Sequence, residues 1–294
     1  MNAIGIIGFG ALGSALAEAV KKTGRLSWLL IRNESKHESA STVHVPILTQ
    51  IADIPKNTDA IILAIPDKEI DAITQQIHQM YNDEQACMLI HCSGALRREV
   101  LFGQNSFLKA IAMHPFQSVQ SIEDIASIPW GIECESDDRA IMSLFIESLN
   151  GIPFFLDEYT IQLKELYHAT AVISANFLTI LTAYSTELAA KANVPAEVFL
   201  PKIQSTVLDR AHQALQSQQS IIAGLTGPLI RMDESTIRAH RTAMASIPGM
   251  DALYCSISKA GIELLVKETL LTHQQADRLI EVLHEIPMSG KHAL

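Results

Sequence analysis

The sequence predicts an α/β protein in two parts. Residues 1–156 read as a sheet of parallel strands with crossover helices, and residues 157–294 as an all-helical part. Three observations predict this. An apolar run at residues 3–7 passes directly into Gly8-x-Gly10-x-x-Gly13 and then into a helical stretch from Ser14. Short apolar runs then alternate with helical patterns as far as Leu156, the pattern of strand–helix–strand units. Beyond Asp157 the alternation stops, and each further segment reads as helix. A length of 294 residues suits two domains or one large one.

Composition narrows the function classes. With 48% hydrophobic and 18% charged residues, the chain can build a core and is not of the disordered type. The net charge of −10, without a dense Lys/Arg cluster, excludes a nucleic-acid footprint. An anionic ligand must then be held by local cations against the overall field. Cys87, Cys92, Cys134 and Cys255 form no Cys-x-x-Cys pair, so reduced thiols, a cytoplasmic location and no metal site are expected. Because the glycine motif begins so early, no signal peptide is expected before it. The most membrane-like stretch, 169–184, is short for a span and contains Asn176 with several Ser and Thr. It is expected to be a buried helix, with no membrane partner.

The glycine stretch organises the first part. Gly8 suits a tight turn, Gly10 lets the backbone approach a pyrophosphate, and Gly13 lets helix and strand pack closely. The helix N-terminus that follows offers free N–H groups to phosphate. Gly8, Phe9, Gly10, Ala11, Leu12 and Gly13 are therefore expected to hold a dinucleotide. The helix ends near Gly24, and a second strand follows at 26–31. An acidic residue just after it would bind the ribose 2′-hydroxyl of NAD. Here the chain reads Arg32-Asn33-Glu34-Ser35. Arg32, with Asn33 and Ser35 beside it, suits the 2′-phosphate of NADP; Glu34 in the ribose position would suit NAD.

After a short, irregular connection, a third strand at 58–65 ends in Ile65-Pro66-Asp67, where the nicotinamide half of a dinucleotide would pass. Asp67 can cap the helix at 68–81. A fourth strand at 87–92 runs into Ser93-Gly94, and a fifth at 109–116 carries His114-Pro115. Ser93 and His114 thus stand at the carboxyl edge, where open α/β sheets bind ligands. A simple turn and a structural histidine are the plainer alternatives. Strands at 130–134 and 152–156 flank a helix at 137–149.

The second part opens with a helical pattern at 159–193 that is apolar on nearly every face, which predicts burial at a domain or subunit interface. Lys164, His168 and Asn176 are its polar exceptions, spaced for roughly one side. They are expected to face a cleft at the sheet edge; the plainer reading makes Lys164 a surface charge and Asn176 a core amide. A helix at 196–213, an ambiguous segment at 214–223 and the breaker Leu225-Thr226-Gly227-Pro228 follow. Arg231 can grip a carboxylate through two parallel hydrogen bonds, or pair with Asp233 or Glu234. Asp233 or Ser235 can cap the helix carrying Arg238, His240 and Arg241. Helices at 251–268 and 274–285 close the pattern, and 287–294 is expected to fray.

Several motifs taken together carry a resemblance. They are Ile7-Gly8-Phe9-Gly10-Ala11-Leu12-Gly13, Ala64-Ile65-Pro66-Asp67, His91-Cys92-Ser93-Gly94-Ala95, His114-Pro115-Phe116, Tyr167-His168-Ala169 with Asn176-Phe177, and Leu225-Thr226-Gly227-Pro228 with Arg231 and His240. The set resembles the bacterial Rossmann-like proteins with a helical C-terminal domain of long-unassigned function. These belong to the 6-phosphogluconate dehydrogenase-like superfamily, together with pyrroline-5-carboxylate, ketopantoate, 3-hydroxyisobutyrate and prephenate oxidoreductases. The resemblance spans nearly the full length. It implies an N-terminal NAD(P) domain, a helical domain donating substrate contacts, and a homodimer through the helix at 159–193.

Some members of that family serve as an alternative ketopantoate reductase in pantothenate synthesis. This implies an NADPH-dependent reductase of a small 2-oxo acid. The superfamily's hydroxy-acid dehydrogenases place a catalytic Lys on the first long helix, with Asn one or two turns later. Here His168 follows Lys164 by one turn and Asn176 comes two turns after that, so the proton donor is Lys164 or His168. On this expectation Asn176 and Ser93 orient the carbonyl, and Arg231 binds the carboxylate. His114 shapes the nicotinamide end, and Ile65, Pro66 and Ser93 contact the cofactor. Two alternatives stay open: imine reduction, as in pyrroline-5-carboxylate reductases, and a dinucleotide-binding sensor without turnover.

Overall fold

In the computed structural model, which describes residues 1–81 and 86–287, eight strands form one sheet. The first elements are β1 (Ile4–Ile7), α1 (Ala11–Lys22), β2 (Leu26–Leu30), the short α2 (His37–Ser41) and β3 (Ile47–Leu48). They continue as β4 (Ala60–Leu63), α3 (Asp67–Met80), β5 (Cys87–His91), β6 (Leu108–Pro115), β7 (Pro129–Glu133), α4 (Arg139–Ser148) and β8 (Ile152–Phe155). The strand order is β3-β2-β1-β4-β5-β6-β7-β8, so the direction of winding reverses between β1 and β4. Strands β1, β4 and β5 are buried along their whole length, as expected of strands covered on both faces. One face packs Ile4, Ile6, Ile62 and Ile90 with Leu16 and Val20 of α1 and Phe145 and Ile146 of α4. The other packs Leu30, Ile61, Leu63 and Leu89 with Ile70, Ile73 and Ile77 of α3.

Two details of the sheet differ from expectation. The connection after β2 holds a short strand, β3, whose backbone pairs with β2. Strand β7 runs antiparallel to β6, while every other neighbouring pair is parallel. The segment 116–128 between them contains only the 3₁₀ turn Ile122–Ile125, and a parallel return needs a longer crossover. Asp67 also departs from its expected role. Pro66 occupies the N-cap position of α3, and Asp67 is the first helical residue.

The chain divides into two compact units, Met1–Leu178 and Thr179–Leu294. The strand–helix alternation does end near residue 156, but the first unit continues through α5 (Glu158–Gln162), α6 (Lys164–Ala171) and a π-helical turn, Val172–Phe177. The division falls within a helical stretch of 28 residues, Lys164–Lys191. That stretch is longer than the expected 169–184, and by length and composition it could cross a membrane. Its most apolar window is not buried within the single chain, so the expected burial is not met there. Leu166, Ile173 and Phe177 are each at least half exposed. Its apolar side chains lie around the whole circumference, and a packed neighbour covers only one face.

The second unit contains α7 (Leu178–Lys191), α8 (Ala196–Gln216), α9 (Glu234–Met244), α10 (Met250–Lys267) and α11 (His273–His284). Ile237, Ile262, Leu265, Leu279 and Val282 form its core. Buried Arg241 clamps it, with Nε and Nη2 donating to the two Asp251 carboxylate oxygens at 2.9 and 3.1 Å and Nη1 donating to the Val282 carbonyl at 2.8 Å. Asp233 caps α9 by accepting from the Thr236 amide at 3.1 Å. Of the expected frayed tail, residues 288–294 lie outside the described residues.

Candidate active site

The carboxyl ends of β1, β4, β5 and β6 lie side by side, and the first unit carries two distinct arrangements along this edge. At one end is the turn from β1 to α1. Gly8 has φ +101°, and its amide donates to the Leu30 carbonyl at 3.0 Å. A Cβ at Gly8 would lie 2.3 Å from the Ala64 carbonyl oxygen, and one at Gly13 would lie 2.4 Å from the Gly8 carbonyl oxygen. A Cβ at Gly10 would meet nothing within 4 Å. Two glycines therefore let the chain close on itself, and the third faces open space. Gly10 is also the N-cap of α1, and no side chain caps that end. Its free N–H groups and the cleared space fit a phosphate group. Phe9 and Leu12 turn back into the core, Ala11 is exposed, and Ile65 packs beneath Gly8.

Beyond β2, Arg32 is half exposed and paired with Glu69 of α3. Asn33 caps the 3₁₀ turn Glu34–Lys36: its Oδ1 accepts from the Ser35 amide at 3.0 Å and the Ser35 hydroxyl at 2.8 Å. Pro66 is exposed at the head of α3.

At the other end the site is made of buried side chains. The loop at 93–98 after β5 is held from four elements. The Ser93 hydroxyl donates to Asp67 Oδ2 at 2.7 Å and accepts from the Ala95 and Leu96 amides at 3.2 and 3.0 Å. That uses the full hydrogen-bonding capacity of the hydroxyl and ties the loop to α3. His91 Nδ1 accepts from the Ser93 amide at 3.2 Å, which leaves Nε2–H to donate to the Arg97 carbonyl at 3.1 Å. Lys164 Nζ donates to the Leu96 carbonyl and to Glu133 Oε2, the latter at 3.1 Å. Glu133 Oε2 also accepts from the Arg98 amide at 3.2 Å. Lys164 and Glu133 are 0% and 2% exposed, so Lys164 is not a surface charge.

The clamped loop presents Gly94 as a floor. A Cβ there would lie 2.3 Å from His168 Nδ1 and 2.7 Å from His114 Nε2. Two imidazole nitrogens from β6 and α6 thus converge over Gly94 and pack so closely on it that only glycine fits beneath them. Their rings meet edge-on with centroids 5.3 Å apart. The Tyr167 hydroxyl lies 3.4 Å from His114 Nδ1; donation there puts the His114 proton on Nε2, facing Gly94. His168 Nδ1 is buried and has no hydrogen-bond partner among the described residues. Phe116 forms a wall, 6.2 Å from the His114 ring and 5.4 Å from that of Tyr167.

Burial, aided by the Lys164 charge, pushes the His91 pKa down to about 3. Burial, followed by His168 and then Lys164, pushes His114 down to about 4. Burial also lowers the Lys164 pKa, against the pull of Glu133. His91 and His114 are therefore neutral near pH 7, while burial raises Tyr167 to about 12 and keeps its phenol protonated.

Asn176 lies in the π-helical turn and is exposed, so it is not a core amide. At regular α-helical pitch it would sit roughly 80° around the axis from His168. The π turn holds more residues per turn and rotates Asn176 back towards the His168 side. Arg231, in the second unit, is exposed, and no ion pair joins it to a described residue. Glu234 pairs instead with Arg238 and Arg278. Sequence reasoning gave no role to Glu133 or to Tyr167, which it named only within the Tyr167-His168-Ala169 motif, and missed the tie from Asp67 to Ser93. For Glu133 the available signal was a lone carboxylate in the apolar run 130–134.

Comparison with known proteins agrees with this architecture. Residues 2–115 match a Rossmann-like domain, and residues 128–260 match a domain of unknown function, DUF2520. No curated protein matches the sequence. Among solved structures, the chain is similar to a Bacteroides fragilis protein described as a candidate NADP oxidoreductase, at 25% identity and TM-score 0.74, over 88% of this chain and 97% of that one. It shares its fold with a reductive aminase from Aspergillus terreus in complex with NADPH and ethyl-5-oxohexanoate, at 14% identity and TM-score 0.66, over 96% and 99% of the two chains. It also shares it with a pyrroline-5-carboxylate reductase from Coxiella burnetii, at 16% identity and TM-score 0.57, over 96% and 98%. By these matches the chain is similar to Rossmann-like domains over residues 2–115 and to DUF2520 domains over residues 128–260.

Proposed function

We propose that this protein is an NADPH-dependent oxidoreductase that reduces the carbonyl of a small 2-oxo acid, with 2-dehydropantoate as the best candidate substrate. The observation that carries this reading is the convergence of His168 Nδ1 and His114 Nε2 over Gly94, on the sheet edge that also holds the glycine turn. The reading draws further support from the Rossmann-like domain match and from the similarity to the Bacteroides fragilis protein.

The residues at hand fit the coenzyme. Gly8, Phe9, Gly10, Ala11, Leu12 and Gly13 would hold its pyrophosphate at the free end of α1. Arg32, Asn33 and Ser35 would hold the 2′-phosphate, and Ile65 and Pro66 would flank the chain of the dinucleotide. When bound, NADPH supplies the hydride. The protein's own part is orientation and proton supply. His168 gives its proton to the oxygen as negative charge builds there, and His114 Nε2–H donates a hydrogen bond to the same atom. Asn176 orients the carbonyl. Lys164, tied to Glu133, acts through the loop it holds, as does Ser93.

The test is NADPH oxidation by the purified full chain with a panel of 2-oxo acids. Turnover with 2-dehydropantoate is expected. A panel without turnover overturns the reading. Reduction of cyclic imines in its place would establish the imine reductase alternative, and tight NADPH binding without any turnover would establish the sensor.

We also propose that a second copy of the chain covers the apolar helical surface. In the second unit, Ile180, Val198, Ile203 and Val207 are all roughly half exposed or more, which is how an interaction surface presents itself. Light scattering on the purified chain should give a dimer; a stable monomer contradicts this assignment.

A further inference from the structure

Glu69 stands at the adenosine end of the edge, where no role has been assigned to it. It lies in the first turn of α3, and its carboxylate pairs with the Arg32 guanidinium. The side chains are 32% and 58% exposed, so the pair is open to solvent and can be exchanged. Glu69, Ile73 and Gln76 share one face of α3. Ile73 and Gln76 line a cavity of about 360 Å³ together with Arg32, Leu30 and Gln50, so the ion pair stands at the edge of open space. Asn33 and Ser35, the other polar groups of this corner, are bonded to each other. Arg32, by contrast, already has an anionic partner in Glu69.

We infer that Glu69 is a specificity-determining residue that competes with the coenzyme's 2′-phosphate for Arg32 and so lowers the preference for NADP over NAD. The inference rests on the NADP reading of Arg32. Only Nη2 of Arg32 meets Glu69, so a 2′-phosphate would either displace the carboxylate or share the guanidinium with it, and in both cases a like charge stands beside the phosphate. A coenzyme with a 2′-hydroxyl meets neither opposition. The exchange is confined to side chains on the surface, so its removal leaves the core intact.

The experiment measures the affinities of NADPH and NADH for the full chain and for Glu69→Gln, Arg32→Gln and the double variant. Glu69→Gln should bind NADPH roughly three- to fivefold more tightly, the worth of an exposed ion pair, with NADH unchanged. Arg32→Gln should weaken NADPH, and the double variant should match Arg32→Gln. If Arg32→Gln weakens NADPH while Glu69→Gln leaves it unchanged, or shifts both coenzymes equally, the inference falls and the NADP reading stands. If Arg32→Gln leaves NADPH affinity unchanged, the reading of Arg32 falls and the inference with it.

Discussion

The two ends of the ligand edge are built from different materials. The glycine end is backbone: a turn with Gly8 at positive φ, an uncapped helix terminus and a clear space over Gly10. Its charged groups, Arg32 and Glu69, are exposed. The histidine end is side chain: a buried ion pair, two neutral histidines and a loop tied to α3, β5, β7 and α6. The difference teaches where rigidity is needed. A phosphate needs N–H groups and room, which backbone supplies. A reacting atom needs donors fixed to within a fraction of an ångström, which takes interlocked side chains.

The largest effects should come from filling the floor of the histidine end. Gly94→Ala places a Cβ against both imidazole nitrogens, and His168→Ala removes the proposed donor. Each should lower kcat by about 10²- to 10⁴-fold, the usual worth of general acid catalysis, while NADPH affinity stays within a factor of two to three. Steady-state kinetics and coenzyme titration on the same samples separate the two. If coenzyme binding fell with turnover, the two ends would not be independent.

The next effect is on stability. Lys164→Met leaves Glu133 charged and buried at 2% exposure, and should cost about 3–5 kcal/mol by denaturant titration. Glu133→Leu combined with Lys164→Met should recover most of that loss, because a buried pair often gives way to apolar residues without penalty. Recovery of stability without recovery of turnover would sharpen the account, since it would show that the pair positions the loop at 93–98.

How much of this was legible in the sequence follows the same contrast. The glycine turn was readable because its three glycines, the strand before them and the helix after them are contiguous, and each answers a local backbone demand. The histidine end was only half readable. Ser93, His114, Lys164 and His168 stood out as polar residues at strand ends or in an apolar helix, but their partners are set by topology. Glu133 reaches Lys164 because β7 pairs antiparallel with β6, which the expectation of a parallel sheet did not include. Asp67 looked like a cap because capping is a local rule, and its tie to Ser93 crosses from α3 to the end of β5. The π turn that rotates Asn176 has no signature in the apolar run around it.

A pH effect of intermediate size belongs to the histidine end alone. His91 and His114 titrate near 3 and 4 when folded, below the ordinary 6.5. In that window the unfolded chain binds more protons, so stability should be constant above about pH 6.5 and should fall as pH drops towards 4. His91→Asn should make the decline shallower in thermal melts at pH 7, 6, 5 and 4. An unchanged slope would mean that His91 is not held neutral by its burial.

The smallest effect is expected at the glycine end. Gly10→Ala adds a Cβ to open space and should leave the melting temperature within about 2 °C, the shift expected of a change below about 0.5 kcal/mol. NADPH affinity should nonetheless fall, because the methyl group occupies the space assigned to the pyrophosphate. Gly8→Ala, at φ +101°, should destabilise the fold itself. A Gly10 variant with normal NADPH affinity would move the phosphate away from this turn.

His168 is proposed to supply the proton to the reacting oxygen. The most direct measurement is the kcat of NADPH-dependent 2-dehydropantoate reduction by the full chain and by His168→Gln, with NADPH affinity titrated on the same samples. The variant should be slower by at least about 100-fold with NADPH affinity unchanged. A His168→Gln enzyme with the wild-type rate would contradict the account.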